Sequence, residues 1–171
     1  MEIEKKYLIS YMPDIIKSAD LKIIEQAYLS INPVVRIRRS NDKYILTYKS
    51  HDGVDMCDDV CVSNEVELPL TKDSFEHLKT KADGMIISKK RYVLPLKLVS
   101  SDYDDLKAEI DVFSGELEGL VFAEVEFESI DQARVFNPPE WFGEDVSEDV
   151  RYRNSYLSGL KDRDEFLKLF S

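Results

Sequence analysis

Glu2-Ile3-Glu4-Lys5-Lys6-Tyr7-Leu8-Ile9 opens the chain with two carboxylates and an ammonium at alternate positions. In an extended strand, residues two apart share a face, so Glu2, Glu4 and Lys6 stand side by side and Ile3, Lys5 and Tyr7 face the other way. Half-buried strands usually alternate apolar and polar residues with the polar face in water. Taken alone, the stretch therefore reads as a solvated sheet edge, and only the later strands can change that reading.

The later strands repeat the pattern. Asn32-Pro33 turns a strand over 22–30 into one over 34–39 that carries Arg36 and Arg38 on one face. Ser40-Asn41-Asp42 then turns the chain into a strand over 43–49 with Thr47 and Lys49 on one face. Glu65 and Glu67 lie two apart in a strand over 60–69, and Lys89 and Arg91 in one over 85–94. Glu109 and Asp111 occupy 106–113, and Glu124 and Glu126 occupy 120–127. Residues 96–99 can form a further strand, with Ser100 to Asp105 as a hairpin tip. A helix is expected over about 72–81, where Phe75 and Leu78 share a stripe. From about residue 131 the period changes to short helices, including Asn154 to Leu160 and Asp164 to Phe170, around an aromatic loop at Pro138 to Phe142.

Composition sets the outer limits. The 171 residues are 43% hydrophobic and 33% charged, a globular balance, and one domain over 1–171 is expected. With 34 acidic against 23 basic side chains and a net charge of -11, a general nucleic-acid surface is not expected. No apolar run is long enough to span a bilayer and no signal-peptide layout opens the chain, so the expected location is the cytoplasm. Cys57 and Cys61 have no zinc spacing and read as free thiols, and His51 and His77 are isolated from any nucleophile signature.

Seven strands thus carry ionisable groups on one face, opposite Ile, Val, Leu, Tyr and Phe. Two sheets satisfy this pattern. An open sheet would pack its apolar face on helices and leave the charges in water. A closed sheet would turn the charges inward, which is tolerable only if opposite signs pair and water or ions fill the space. Such an interior offers hard oxygen donors for Mg²⁺ or Mn²⁺ and cationic donors for phosphate oxygens.

The order of these pairs resembles the triphosphate tunnel metalloenzymes, also called the CYTH superfamily. The likeness begins with Glu2-x-Glu4-x-Lys6 and runs through Gln26-Ala27-Tyr28-Leu29, Arg36-x-Arg38, Thr47-x-Lys49, Glu65-x-Glu67, Lys89-x-Arg91, Glu109-x-Asp111 and Glu124-x-Glu126 to Arg151-Tyr152-Arg153-Asn154. Any one pair is common; their number and order carry the resemblance. It implies an α+β fold with an eight-stranded antiparallel β-barrel, a charged tunnel and flanking helices, with C-terminal helices packing on the barrel or covering one tunnel mouth.

Carried over motif by motif, the resemblance implies Glu2, Glu4, Glu124 and Glu126 as principal metal ligands. Glu65, Glu67, Glu109 and Asp111 are further ligands or holders of metal-bound water. Lys6, Arg36, Arg38, Lys49, Lys89 and Arg91 would grip phosphate, joined at the tunnel mouth by Arg153, or Arg151 in its place. Lys6 and Lys49 are candidates to orient water or bind the reacting phosphate. The implied activity is Mg²⁺- or Mn²⁺-dependent hydrolysis of inorganic triphosphate to pyrophosphate and phosphate, with nucleoside triphosphates as further substrates. A class IV-type adenylyl cyclase, a thiamine triphosphatase and a non-catalytic polyphosphate- or nucleotide-binding module are the alternatives. In each case the implied partner is a small molecule bearing a triphosphate, and neither a nucleic acid nor a membrane.

Overall fold

The computed structural model describes residues 2–50, 61–103 and 105–170. His51, Cys57 and the loop read over 51–59 lie outside the described residues, as do the side chains of Glu2 and Cys61. Among the described residues, nine strands and four α-helices make an α+β fold. In chain order they are β1 (Glu2–Ile9), β2 (Asp20–Ile31), β3 (Val34–Ser40), β4 (Lys43–Ser50), β5 (Cys61–Pro69), α1 (Lys72–Lys79), β6 (Asp83–Pro95), β7 (Lys107–Phe113), β8 (Val121–Glu126), α2 (Ile130–Val135), β9 (Phe142–Asp145), α3 (Asn154–Ser158) and α4 (Arg163–Phe170). None of these helices is long and apolar enough to cross a membrane.

The strands form one antiparallel sheet in the order β5-β4-β3-β2-β6-β7-β8-β1-β9, and β1 is also hydrogen-bonded to β5. β1 divides one of its edges between two partners. Glu2, Ile3 and Glu4 pair with Ser63, Val62 and Cys61 of β5, while Tyr7 and Ile9 pair with Asp145 and Phe142 of β9. Between them the chain just past β9 takes over: the Lys6 amide donates to Ser147 Oγ at 2.9 Å, and the Val146 amide donates to the Lys6 carbonyl at 2.8 Å.

Local chemistry explains most of the turns and caps. Asn41, at φ 52, sits in the two-residue β3–β4 turn, a left-handed conformation that Asn tolerates. Its side-chain carbonyl accepts from the Ile23 amide at 2.8 Å, which ties the turn to β2. Thr71 caps α1 by accepting from the Ser74 amide, and Ser129 caps α2 by accepting from the Gln132 amide.

Two segments depart from the sequence reading. The strand considered at 96–99 is absent: β6 runs through to Pro95, Leu96–Leu98 and Ser101–Tyr103 form 3-10 turns, and the Leu96 amide donates to the Leu106 carbonyl at 2.8 Å. Pro95 cannot donate to a ladder, and Leu96 is fully buried, so the strand ends there and the two 3-10 turns lead the chain back toward β7. Conversely, the loop read at Pro138 to Phe142 leads into β9, whose four residues are too few to show an alternation.

Three apolar clusters surround the sheet. α1 covers Ala27 and Ile37 with Phe75. α2 and the Trp141-Phe142 pair cover Ile3, Tyr7, Ala123 and Val125. The third cluster lies on the charged face itself. One step beyond Lys6, Glu124, Asp111, Lys89, Gln26 and Arg36, the same alternation reaches Leu8, Phe122, Phe113, Ile87, Tyr28 and Val34, and these pack with Tyr152, Leu157 and Phe166 of the C-terminal segment. An aromatic chain runs from Phe113 to Phe122 at 5.2 Å, to Tyr152 at 6.5 Å and on to Phe170 at 5.1 Å.

Gly84 fixes how closely α3 approaches β6. It adopts φ +72, and a Cβ there would lie 2.1 Å from the Ser158 carbonyl oxygen. Gly115 has a similar φ of +66 with open space around it. Both substitutions to Ala carry backbone strain of about 1–3 kcal/mol, and only Gly84→Ala must also push α3 away. Urea denaturation is expected to show Gly84→Ala the more destabilising by at least about 2 kcal/mol; equal losses would contradict this packing.

Candidate active site

The ladder registers gather the paired charges. Lys6 lies opposite Glu124 and Glu4 opposite Glu126, Glu109 opposite Glu124, and Arg91 opposite Asp111. Across the rest of the sheet, Gln26 faces Arg38, Tyr28 faces Arg36, Arg36 faces Thr47, Thr47 faces Glu67 and Lys49 faces Glu65. The result is a cavity of about 780 Å³. Among the described residues its wall carries seven carboxylates (Glu4, Glu65, Glu67, Glu109, Glu124, Glu126 and Asp149) and six cations (Lys6, Arg36, Arg38, Lys49, Arg91 and Arg153).

One wall, from β6 through β7 and β8 to β1, is tightly paired. Arg91 holds Asp111 with two bonds of 2.7 Å, reaches Glu124 at 2.6 Å and also contacts Glu109. Lys6 bridges Glu124 at 3.0 Å and the Tyr152 carbonyl at 3.0 Å, with its ammonium 4.7 Å from the centre of the Phe122 ring. Lys89 donates to Asp111 at 2.5 Å; both side chains are completely buried, and neither belongs to the cavity wall.

This pairing shapes the ionisation of the wall. Burial disfavours the charge on Glu124, yet Lys6, Arg91 and Lys89 hold its carboxyl well below the usual range. Burial likewise opposes the charge on Asp111, and Arg91 and Lys89 outweigh it, so that pKa is also lowered. Lys6 is raised because Glu124 and Glu4 overcome its desolvation. Burial pushes Lys89 down to about 8, opposed by Asp111 and reinforced by Arg91.

The opposite wall, β2 to β5, is held loosely. Arg36 donates to Thr47 Oγ1 at 3.1 Å and lies 3.9 Å from Glu65, while its buried Nε has no hydrogen-bond partner. Lys49 lies 3.8 Å from Glu65. Arg38 donates to Gln26 Oε1 at 3.3 Å. Burial, with Arg36 and Arg91 nearby, pushes Arg38 down to about 10. A desolvated guanidinium in this state gains from an anion brought next to it.

Most of the residues marked by the sequence pattern therefore meet in one place. The exceptions among the described side chains are Lys89 and Asp111, which bond each other behind the wall. Asp111 accepts from Arg91 on both oxygens and from Lys89 on one, and it does not line the cavity. Arg153 lines the cavity, whereas Arg151 is turned outward onto Asp149 at 2.6 Å.

The pattern overlooked several wall residues. Tyr28 is one; its hydroxyl accepts from Gln26 Nε2 at 3.4 Å. Burial raises its pKa while Arg36, Arg38 and Lys6 pull against that rise. Its signal was available, since it stands two residues after Gln26 on the same face. Ser147, Asn154 and Ser155 also line the cavity, and they come from the irregular C-terminal third, where no alternation marks them.

The wall's carboxylate oxygens are the donor type that hard divalent cations take. Glu4 and Glu126 are directly opposed across β1 and β8, an arrangement of like charges that a cation relieves. Among the described residues, no three acidic, His or Cys side chains are grouped so as to hold a metal ion.

No family model matches the chain. It is 35% identical over 162 residues to the inorganic triphosphatase of Nitrosomonas europaea, covering 92% of this chain and 96% of that protein. It is 34% identical over 160 residues to the inorganic triphosphatase of Acetivibrio thermocellus, covering 91% and 92%. The crystal structure of the inorganic triphosphatase NE1496 matches with a TM-score of 0.67 at 33% identity, over 95% of this chain and 97% of that one. A Hippeastrum adenylyl cyclase-like protein, described as having a dominant triphosphatase activity, shares the fold at 14% identity, with a TM-score of 0.56 over 78% and 83% of the two chains. Identity at this level over nearly the whole length means that the chain belongs to the inorganic triphosphatases.

Proposed function

We propose that the protein hydrolyses inorganic triphosphate to pyrophosphate and phosphate inside a closed eight-stranded barrel, with Mg²⁺ or Mn²⁺ as cofactor. One observation carries the reading: charges of both signs line one cavity, in a chain that shares its length and a third of its residues with inorganic triphosphatases. The β1–β5 ladder supports the closed barrel, because it joins strands at opposite ends of an eight-strand run.

Arg36, whose buried Nε has no hydrogen-bond partner, and Arg38, which is desolvated, bind the phosphate chain along β3, and Lys49 joins them from β4. Arg153 adds a cation from the C-terminal side. Lys6 faces the cavity between Glu124 and the loosely held wall, where it orients the reacting phosphate. Lys49 keeps its candidacy for the same role from the opposite side. Tyr28 presents a hydroxyl beside Arg36 and keeps that guanidinium in place. Arg91, Asp111 and Lys89 hold the wall in position rather than grip substrate or ligate metal.

Glu4 and Glu126 would hold the divalent ion, with Glu2 on the same strand face and Glu65 and Glu67 on β5 as further oxygen donors. When bound, such an ion withdraws charge from the phosphate oxygens as a Lewis acid. Glu109 and Glu124 face the same cavity but are engaged by Arg91.

Purified protein given inorganic triphosphate and Mg²⁺ or Mn²⁺ is expected to release equal amounts of phosphate and pyrophosphate, and to stop when EDTA is added. Cyclic AMP as the main product from ATP, or binding of triphosphate without turnover, would overturn the proposal. Glu126→Gln should cut turnover by about 10²-fold or more, with the melting temperature preserved.

The two walls should separate stability from activity. Arg38→Met removes a desolvated, weakly partnered cation, so kcat/KM is expected to fall about 10²-fold while Tm holds or rises. Arg91→Met leaves three carboxylates facing one another and should cost about 3–5 kcal/mol in denaturant melts. A destabilised Arg38→Met protein with normal kcat/KM would reverse the assignment of the walls.

Acid should undo the tight wall. Glu124 and Asp111 have folded-state pKa values below their unfolded ones. Their stabilisation is complete above the unfolded carboxyl pKa of about 4 and is lost as pH falls through the lowered folded values. Melting temperatures are expected to be flat from neutral pH down to about 5 and to drop steeply below about 4; a flat profile through pH 3 would contradict the pairing.

A further inference from the structure

β1 changes partners at Lys6. Its edge away from β8 pairs with β5 at Glu2, Ile3 and Glu4 and with β9 at Tyr7 and Ile9, so the Lys6 amide and carbonyl fall between two ladders. The segment that follows β9 holds this residue at three atoms. The Val146 amide donates to the Lys6 carbonyl at 2.8 Å, Ser147 Oγ accepts from the Lys6 amide at 2.9 Å, and the Tyr152 carbonyl accepts from the Lys6 ammonium at 3.0 Å. Ser147 is itself oriented, because Asp145 Oδ1 accepts from its amide at 3.0 Å and from its hydroxyl. A hydroxyl has one hydrogen, and the carboxylate is a nearer and stronger acceptor than the Lys6 carbonyl, 3.5 Å away. The oxygen lone pairs are thereby left to the Lys6 amide. Asp145 is anchored in turn by the Tyr7 hydroxyl, whose pKa burial and this carboxylate raise, and by Lys5 at 3.7 Å.

We propose that Ser147 is a positioning residue for triphosphate hydrolysis: its hydroxyl oxygen stands in for a ladder carbonyl at Lys6 and sets the angle at which that lysine presents its ammonium to the phosphate chain. The register makes the angle matter. With its amide and carbonyl turned to the far edge, Lys6 faces Glu124 as a non-hydrogen-bonded pair, the kind that brings side chains closest, and the ammonium reaches that carboxylate at 3.0 Å. A tilt of the Lys6 peptide therefore moves the ammonium against Glu124 and the cavity together. Using a side chain in place of a strand also has a physical logic. A ninth strand running on past Asp145 would carry the chain along the outside of the sheet. A single hydroxyl satisfies the Lys6 amide and lets the chain leave, so that Tyr152 turns back and caps the same lysine's ammonium. This inference rests on the reading of the protein as a triphosphatase in which Lys6 meets phosphate.

A double-mutant cycle with Lys6 decides. The full-length protein is assayed for hydrolysis of inorganic triphosphate with Mg²⁺, for binding of inorganic triphosphate by calorimetry in EDTA, and for thermal unfolding. Ser147→Ala removes the acceptor and is expected to lower kcat/KM at least about tenfold and to raise Kd about threefold, with Tm reduced. Ser147→Thr keeps the hydroxyl and should recover most of both. In a Lys6→Met background the same Ser147→Ala change should lower Tm again but leave kcat/KM and Kd where Lys6→Met alone put them; where Lys6→Met turns over too slowly to measure, Kd decides. A purely structural role predicts equal losses of activity and binding in both backgrounds, and that result overturns the inference. Should Ser147→Ala not fold, Ser147→Cys, which keeps the volume and leaves only a weak acceptor, takes its place in the cycle. Wild-type protein that neither binds nor cleaves triphosphate overturns both readings; wild-type protein that cleaves it beside an equally competent Ser147→Ala overturns this one alone.

Discussion

The rest of the structure hangs on the buried contacts of Arg91. From β6 it reaches two carboxylates on β7 and one on β8, and Glu124 passes the link on to Lys6 on β1. Four consecutive strands are thereby braced on the face where side chains would otherwise repel one another. Buried ion pairs are seldom a net source of stability, because desolvation offsets most of the attraction. Their value here is geometric, since each carboxylate is held at a set angle and Lys6 is delivered to the cavity with its charge secured. Removing the central guanidinium would not subtract one interaction; it would take a counter-charge from three acids at once, leaving Asp111 to Lys89 and Glu124 to Lys6.

Beyond the brace, the same face changes character twice. Toward the C-terminal segment it becomes aromatic, and Phe122 and Phe113 form a floor on which Lys6 and Lys89 rest. Across the cavity it carries Arg38, which is desolvated, and Arg36, which keeps an unpartnered Nε. A polyanion satisfies that second wall as carboxylates satisfy the first. In this way the fold stores its incomplete electrostatics on the side where substrate is expected to enter.

The period-2 signal was legible because each charged pair sits in a strand long enough to show alternation, and the ladder order then brings the pairs into one cavity. What it could not show is which charges satisfy one another. Asp111 and Glu109 are equivalent in the sequence, yet one is enclosed by two cations and the other lies on the wall; that difference is set by where Arg91 ends, a property of register across β6 and β7. The aromatic end of the face is carried by Leu8, Phe113 and Phe122, which continue the alternation with no charge to mark it. β9, with four residues, is too short to carry a pattern, and the wall residues Ser147, Asn154 and Ser155 come from a segment where no two-residue alternation marks a face. Tyr28 had the right spacing, and was overlooked because it carries no charge at neutral pH.

The division of the cavity into a braced wall and a receiving wall is tested most directly by a crystal structure of the protein with inorganic triphosphate bound. The account predicts phosphate oxygens within hydrogen-bonding distance of Arg36 and Arg38, with Arg91 still bonded to Asp111 and Glu124. Phosphates seated on Arg91 in place of its carboxylates, with Arg36 and Arg38 left without an anion, would contradict it.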